Sequence, residues 1–316
     1  MTASLALGCA SLGNLYHAID DERAAATVDA AWDAGIRYFD TAPHYGLGLS
    51  ERRLGAALAG RPRADYKVST KVGRMLEPVP GGGDRLDDGG FAVPATHRRV
   101  WDFSRDGVRR CLDESLDRLG LDRVDLVLLH DPEDHADQAI GEGYPALREL
   151  RDQGVVGAIG TGSKDAAFLA RFVAECGPDE IIVAGRYTLL EQRALDAILP
   201  ACAAAGTAVL NAGVFNSGLL AVERPHAGLP YEYGPAPAEV VARAAAIADV
   251  CAAHGTTLPA AALAFAGSHP LVRSVIVGAD SPEQVRRNAE LFGTPPPAAL
   301  WPALVDAGLL DPRARP

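Results

Sequence analysis

Along nearly the whole chain, short β-branched runs alternate with Ala-, Leu- and Arg-rich stretches of helical spacing. No other feature constrains the fold as strongly. Strand-like runs fall at Leu5–Leu7, Arg37–Phe39, Lys67–Lys71, Val124–Leu129, Val156–Ile159, Glu180–Val183, Ala208–Leu210 and Ser274–Val277. Helical spacing follows at about 22–34, 50–59, 105–119, 141–153, 165–175, 191–204, 238–254 and 282–292. Asp20 and the Ser281-Pro282-Glu283 step are helix start signals, and Gly35, Gly120, Gly154 and Gly206 stand where helices should stop. Eight strand-then-helix units in series predict an α/β fold, a closed (β/α)8 TIM barrel; a doubly wound open sheet is the alternative. No Gly-x-Gly-x-x-Gly follows a strand, which argues against a Rossmann half. With no Ser/Pro-rich hinge and no mid-chain shift in composition, residues 1–316 read as one barrel domain.

Composition then removes function classes. A net charge of -11 repels phosphate backbones and argues against a nucleic-acid partner. No run approaches the roughly 18 apolar residues of a membrane helix. Cys9, Cys111, Cys176, Cys202 and Cys251 are scattered and form no C-x-x-C pair, so neither a disulfide framework nor a zinc knuckle is expected. The opening MTASLALGCA carries no basic region, and a reduced, cytoplasmic protein is the expectation.

Two connections are too long for simple turns. Residues 72–104 carry GGGDRLDDGG together with Phe91, His97, Trp101 and Phe103. Residues 211–237 carry Phe215, Tyr231 and Tyr233. In a barrel, loops that follow strands build the active-site face, so long loops at the C-terminal mouth are expected to serve function.

The three lysines are Lys67, Lys71 and Lys164; every other basic residue except histidine is arginine. Lys71 closes a β-branched strand, where a charge is costly to bury without a partner, and its compact ammonium fits where a guanidinium is too bulky. The second strand ends in Asp40, with Tyr45 five residues on, and the fourth ends in His130. On a barrel these four converge on one rim. A free tyrosine, with a pKa of about 10, is too weakly acidic to serve as a base near neutrality. An ammonium beside it favours the phenolate. Lys71 supplies that ammonium, Asp40 holds it, Tyr45 exchanges a proton with an alcohol or carbonyl oxygen, and His130 orients that oxygen. A site without a strong nucleophile suits hydride transfer better than hydrolysis. HDPEDH, with His130, Asp131, Glu133, Asp134 and His135, has the composition of a metal cluster, but Pro132 breaks any helix that would align ligands, and no metal is expected.

These residues sit in GIRYFDTAPHYG with LSERRLG, in VSTKVGR and in VDLVLLHDPEDH; with RYTLLEQ and VIVGADSPEQVRRNAE, the chain resembles the aldo-keto reductase superfamily over nearly its full length. LGNLYHAIDDE and the long 72–104 loop look most like its aldose 1-dehydrogenase branch, which includes D-threo-aldose 1-dehydrogenases, L-fucose dehydrogenases and pyridoxal 4-dehydrogenases. The resemblance implies a (β/α)8 barrel with a nicotinamide cofactor across its C-terminal face. It places the catalytic tetrad on Asp40, Tyr45, Lys71 and His130. It further implies that Tyr187 stacks on the nicotinamide, that Gly278, Ala279 and the following helix start receive the adenosine phosphate, and that Asn288 contacts adenine. Gly278 stands where a phosphate-binding lysine is common and Gln284 where an arginine is common. Losing two cations weakens a ribose 2′-phosphate site, so NAD is expected over NADP, with Arg286 and Arg287 restoring some charge. Ser163 and Arg186 are the candidates for the carboxamide, since Lys164 and Ala184 depart from the family pattern. Asn14, Tyr16, Trp101 and Phe215 are the candidate sugar-pocket residues. The expected reaction is oxidation of an aldose of the L-fucose, D-arabinose or L-galactose type at C1 to a lactone. The alternatives are pyridoxal oxidation, NADPH-dependent aldehyde reduction, or a cofactor-binding regulatory subunit with little turnover.

Overall fold

The computed structural model describes residues 3–232 and 234–314; Tyr233 lies outside them. Eight parallel strands close into a barrel: β1 (Ser4–Gly8), β2 (Tyr38–Asp40), β3 (Lys67–Val72), β4 (Val124–His130), β5 (Val156–Ser163), β6 (Glu180–Ala184), β7 (Ala208–Ala212) and β8 (Val272–Gly278). Each pairs with its sequence neighbours, and β8 closes on β1 in the register Ser4↔Ser274 to Gly8↔Gly278.

Strand periodicity divides the side chains into two sets. Ala6, Leu126, Leu128, Ile182, Leu210 and Ile276 form one buried cluster, which fills the barrel. The alternating residues, such as Leu7, Phe39, Val127, Ile159, Ile181 and Val275, join a second core shared with the helices. Helices follow as read from the sequence at Asp21–Asp33, Leu49–Leu58, Arg105–Leu119, Ala166–Cys176, Ala238–Ala253 and Pro282–Phe292. Asp20 accepts a hydrogen bond from the Arg23 backbone N–H, and Ser281 caps the last of these helices through the Gln284 N–H.

Four elements differ from the sequence expectation. The helix expected at 141–153 begins earlier, at Ala136, and passes through a π-helical turn at Ala139–Gly143 before Tyr144–Asp152. The helix expected at 191–204 is confined to Ile198–Ala205, because residues 188–196 are spent in tight turns. The helix Leu258–Ala266 has no counterpart in the sequence reading. Its residues Leu258–Leu263, Phe265 and Ala266 are all buried, so no polar face marks a period. The 72–104 connection contains an antiparallel hairpin, Arg74–Pro78 against His97–Trp101. Gly73 makes the turn into it at φ +96°, and a Cβ there would lie 2.0 Å from the Phe103 ring. The hairpin is tied back to the β1 loop by a bridge between Leu15 and Phe91. Among the described residues, no helix is long and apolar enough to cross a membrane.

Candidate active site

Three strand ends and the loop after β2 bring four polar side chains together at the C-terminal mouth. Asp40 is the last residue of β2, Lys71 the penultimate residue of β3 and His130 the last of β4. All three are almost fully buried. The Lys71 Nζ donates to Asp40 Oδ2 at 2.7 Å, to the Thr41 carbonyl at 2.9 Å and to the Tyr45 hydroxyl at 3.0 Å. Ser69 donates to the other Asp40 oxygen at 2.7 Å. Burial pulls the Lys71 pKa down, but the Asp40 carboxylate and the Tyr45 phenol outweigh it and the net shift is upward. Lys71 is therefore a permanent cation at this site.

Backbone packing holds Tyr45 in place. Gly13 and Gly46 approach so closely that a Cβ on Gly13 would fall 2.6 Å from the Tyr45 carbonyl carbon. Gly46 also takes φ +62°, which favours glycine. The Tyr45 ring stands perpendicular to that of His130, with centroids 5.9 Å apart. Burial, then the cations Arg74 and Lys71, push the His130 pKa well below its usual value, so the ring is neutral. Arg74 reaches Asp131 at 2.5 Å and lies over the Trp101 ring, 4.2 Å from its centroid.

Beside this cluster runs a groove of about 610 Å³ along the ends of β6, β7 and β8. Ala184, Gly213, Phe215 and Asn216 line it toward the barrel, and Gly278, Asp280, Gln284, Arg287 and Asn288 line it further out. The groove's volume falls in the range of small-molecule sites. A second cavity, about 750 Å³, opens among Tyr66, Lys67, Asp125 and Glu180 at the opposite rim, where the strands begin. Neither space is lined by a residue of the four-residue cluster; the groove shares its rim and the second cavity does not.

The Aldo/keto reductase family model matches residues 4–304. The chain belongs to the aldo/keto reductase family. This aldo-keto reductase is 51% identical over 312 residues to D-threo-aldose 1-dehydrogenase from Pseudomonas sp, covering 97% of this chain and 94% of that protein. It is 38% identical to pyridoxal 4-dehydrogenase from Microbacterium luteolum, covering 98% and 94%. An aldo-keto reductase from Bacillus halodurans in its holo form superposes with a TM-score of 0.78 at 27% identity, covering 98% and 93%. The chain is thus a nicotinamide-linked oxidoreductase acting on CH–OH groups.

The groove of this reductase suits a dinucleotide. It ends at the capped N-terminus of Pro282–Phe292 and contains Asn216, whose buried Oδ1 has no partner among the described residues. Of the residues expected at the cofactor, Gly278, Gln284, Arg287 and Asn288 line it, and Ala279 is buried directly behind. Tyr16 and Phe215, expected at the sugar, line the same groove.

Other expected residues are engaged elsewhere. Tyr187 is 1% exposed; it stacks on Phe265 with centroids 4.8 Å apart and meets His269 edge-on. It therefore has no open face for a nicotinamide ring. Ser163 donates to Glu133 at 2.9 Å and accepts from the Asp165 N–H. Arg186 pairs with Glu232 at 2.6 Å and donates to the Lys164 carbonyl. Asn14 is also corrected: it donates to the Ala92 carbonyl and accepts from the Ile19 N–H and from Arg53, so its amide ties loops together. Trp101 stands half-exposed over Phe103 at the hairpin's base.

Asn216 and Asp280 are polar groove residues that the sequence reading did not single out. Asn216 left no signal beyond its place in a long loop. Asp280 sits between Gly278 and the Ser281 cap, with its carboxylate in the groove wall, held by Arg23 and His17 at 3.1 Å each. Its position one residue before a helix cap was the available signal.

Proposed function

We propose that this chain oxidises an aldose at C1 to the lactone, with NAD as the preferred hydride acceptor and Tyr45 as the acid–base group. The observation that carries this reading is the 3.0 Å contact between the Tyr45 hydroxyl and the buried Lys71 ammonium, itself anchored on Asp40. An ammonium at that distance favours the phenolate. In the oxidative direction Tyr45 takes the proton of the C1 hydroxyl. Neutral His130 faces the same point and orients the oxygen through one ring nitrogen. The bound nicotinamide supplies the acceptor for the hydride leaving C1. Lys71 keeps its proton throughout and passes none to the substrate; its charge sets the acidity of the phenol.

The sugar assignment is supported by the 51% identical aldose dehydrogenase, whose likeness extends through nearly the whole chain. The preference for NAD is supported by the groove wall. Gly278 offers no cation, Gln284 spends its Oε1 on the Asp280 N–H, and the Asp280 carboxylate in the groove wall ties up Arg23 in an ion pair. Arg287 is drawn toward Glu223, 3.7 Å away.

Purified protein incubated with NAD or NADP and a panel of L-fucose, D-arabinose, L-galactose and pyridoxal, followed by absorbance of the reduced cofactor, tests the reading. Sugar-dependent reduction of NAD supports it. Turnover of pyridoxal alone assigns the protein to its 38% identical relative's chemistry. Tight cofactor binding without turnover of any substrate moves it to the regulatory class.

A further inference from the structure

His44, the residue before Tyr45, takes no part in the proton chemistry above, yet it stands inside the same cluster of rings. Its centroid is 5.5 Å from that of His130 at 82°, 6.1 Å from Tyr45 and 5.2 Å from Phe91 at 89°. The long hairpin reaches over to hold it. Arg99 donates its Nε–H to His44 Nδ1 at 2.5 Å and an Nη2–H to the His44 carbonyl at 3.1 Å. Asp87 then grips the two outer nitrogens of Arg99 at 2.6 and 2.8 Å, with its carboxylate 2% exposed. Burying a bidentate ion pair is costly, so this one is poorly explained by stability alone.

Its chemical consequence is a fixed tautomer. A guanidinium is always protonated and only donates, so His44 Nδ1 must offer a lone pair and the ring proton must sit on Nε2. Burial, then the cations Arg74, Arg99 and Lys71, pull the ring's pKa down to about 2, so no second proton is gained. Among the described residues, none accepts a hydrogen bond from that Nε2.

We propose that His44 is a substrate-recognition residue: clamped by Arg99 and Asp87, it presents a permanent, uncharged Nε2–H donor to the hydroxyl on the carbon next to the reacting one. The inference rests on the proposed function for its substrate class, a polyhydroxylated aldehyde or its cyclic hemiacetal. Tyr45 and His130 address the reacting oxygen, and His44 addresses its neighbour. The pair selects an α-hydroxy carbonyl over a simple one. His44 exchanges no proton, so its contribution lies in binding and orientation.

Glycolaldehyde and acetaldehyde, reduced with NADH, differ only by that hydroxyl and form the test pair. His44→Phe is expected to lower kcat/KM for glycolaldehyde about 10- to 100-fold, the scale of one to two hydrogen bonds, and to change acetaldehyde less than about 3-fold. His44→Gln places an amide N–H near the former Nε2 and should recover most of the loss; His44→Asn keeps only the Arg99 acceptor and should not. Equal losses on both aldehydes, or full activity of His44→Asn on glycolaldehyde, overturn the proposal. Nitrogen-15 NMR of histidine-labelled wild type, assigned with His44→Asn, reads the ring directly. The expected spectrum shows an Nε2–H tautomer that does not titrate between pH 5.5 and 8, and a ring titrating in that range overturns the clamp. Failure of the wild type to oxidise any aldose strikes the proposed function, whereas the aldehyde ratio and the tautomer decide His44.

Discussion

The floor of the mouth and the wall of the groove are built by opposite means. On the floor, Asp40, Lys71 and His130 end adjacent parallel strands, so the barrel's hydrogen-bond register sets their spacing. Each is nearly fully buried, and the ammonium has three partners within 3.0 Å. Along the wall, Gln284, Arg287 and Asn288 lie on the exposed side of one helix, and Phe215 and Asn216 on a loop. The Arg287–Glu223 pair there is long, at 3.7 Å, and open to solvent. Chemistry that needs fixed atoms sits where the backbone cannot shift. Recognition sits where substitution costs little stability.

The sharpest way to break this contrast is at the phenol. Tyr45→Phe is expected to reduce kcat by about 10² or more, the scale of lost acid–base catalysis, while cofactor affinity measured by fluorescence titration stays within about 2-fold. Retention of most of the activity would sink the assignment of the acid–base group. Lys71→Met should act on the floor twice. The phenol loses its neighbouring cation, so the rising limb of the pH–rate profile moves to higher pH. Asp40 is left buried without its counter-ion, at a cost of about 3–5 kcal/mol that a thermal melt reads as a lowered Tm. An unmoved profile would show that Lys71 is only a structural ion.

The same contrast explains which parts the amino-acid sequence disclosed. Strand endings were visible because β-branched runs stop abruptly at Asp40, Lys71 and His130, and the barrel converts chain position into spatial convergence. The eight strands and most helices followed from periodicity for the same reason. Leu258–Ala266 was invisible because burial on every side erases the period. The hairpin at Arg74–Trp101 was obscured by the glycine-rich segment between its strands, and nothing local announced that Arg99 would return to His44. Tyr187 was misplaced because a motif fixes a residue's position in the chain but not the rotamer its neighbours impose; Phe265 claims its ring. Asn14 went the same way, since an amide in a loop is equally fit to bind a ligand or to tie two loops.

The wall is expected to yield to small changes. Gly278→Lys combined with Asp280→Ser replaces a missing cation and removes the carboxylate that ties up Arg23. At Gly278 the φ is ordinary, and an added Cβ meets nothing closer than the Gly8 carbonyl oxygen at 3.8 Å, so the substitution fits. A charge-assisted hydrogen bond to phosphate contributes about 1.5–3 kcal/mol, so kcat/KM for NADP should rise about 10- to 100-fold relative to NAD. Rates with both cofactors at one fixed sugar concentration measure it. An unchanged ratio would mean that the 2′-position of the bound ribose lies elsewhere in the groove.

Asn14→Ala carries the smallest expected effect on catalysis and the most diagnostic separation of roles. Asn14 takes φ +66° and links the β1 loop to residue 92 of the hairpin segment and to Arg53. Alanine leaves the Ile19 N–H and one Arg53 nitrogen short of an acceptor and is less at ease in the left-handed region. A buried donor left unpaired costs about 1–3 kcal/mol, so the Tm should fall. Because its amide faces other loops, the sugar KM should move less than about 3-fold. A large rise in KM with an unchanged Tm would return Asn14 to the substrate pocket and place the mouth's recognition on both sides of Tyr45.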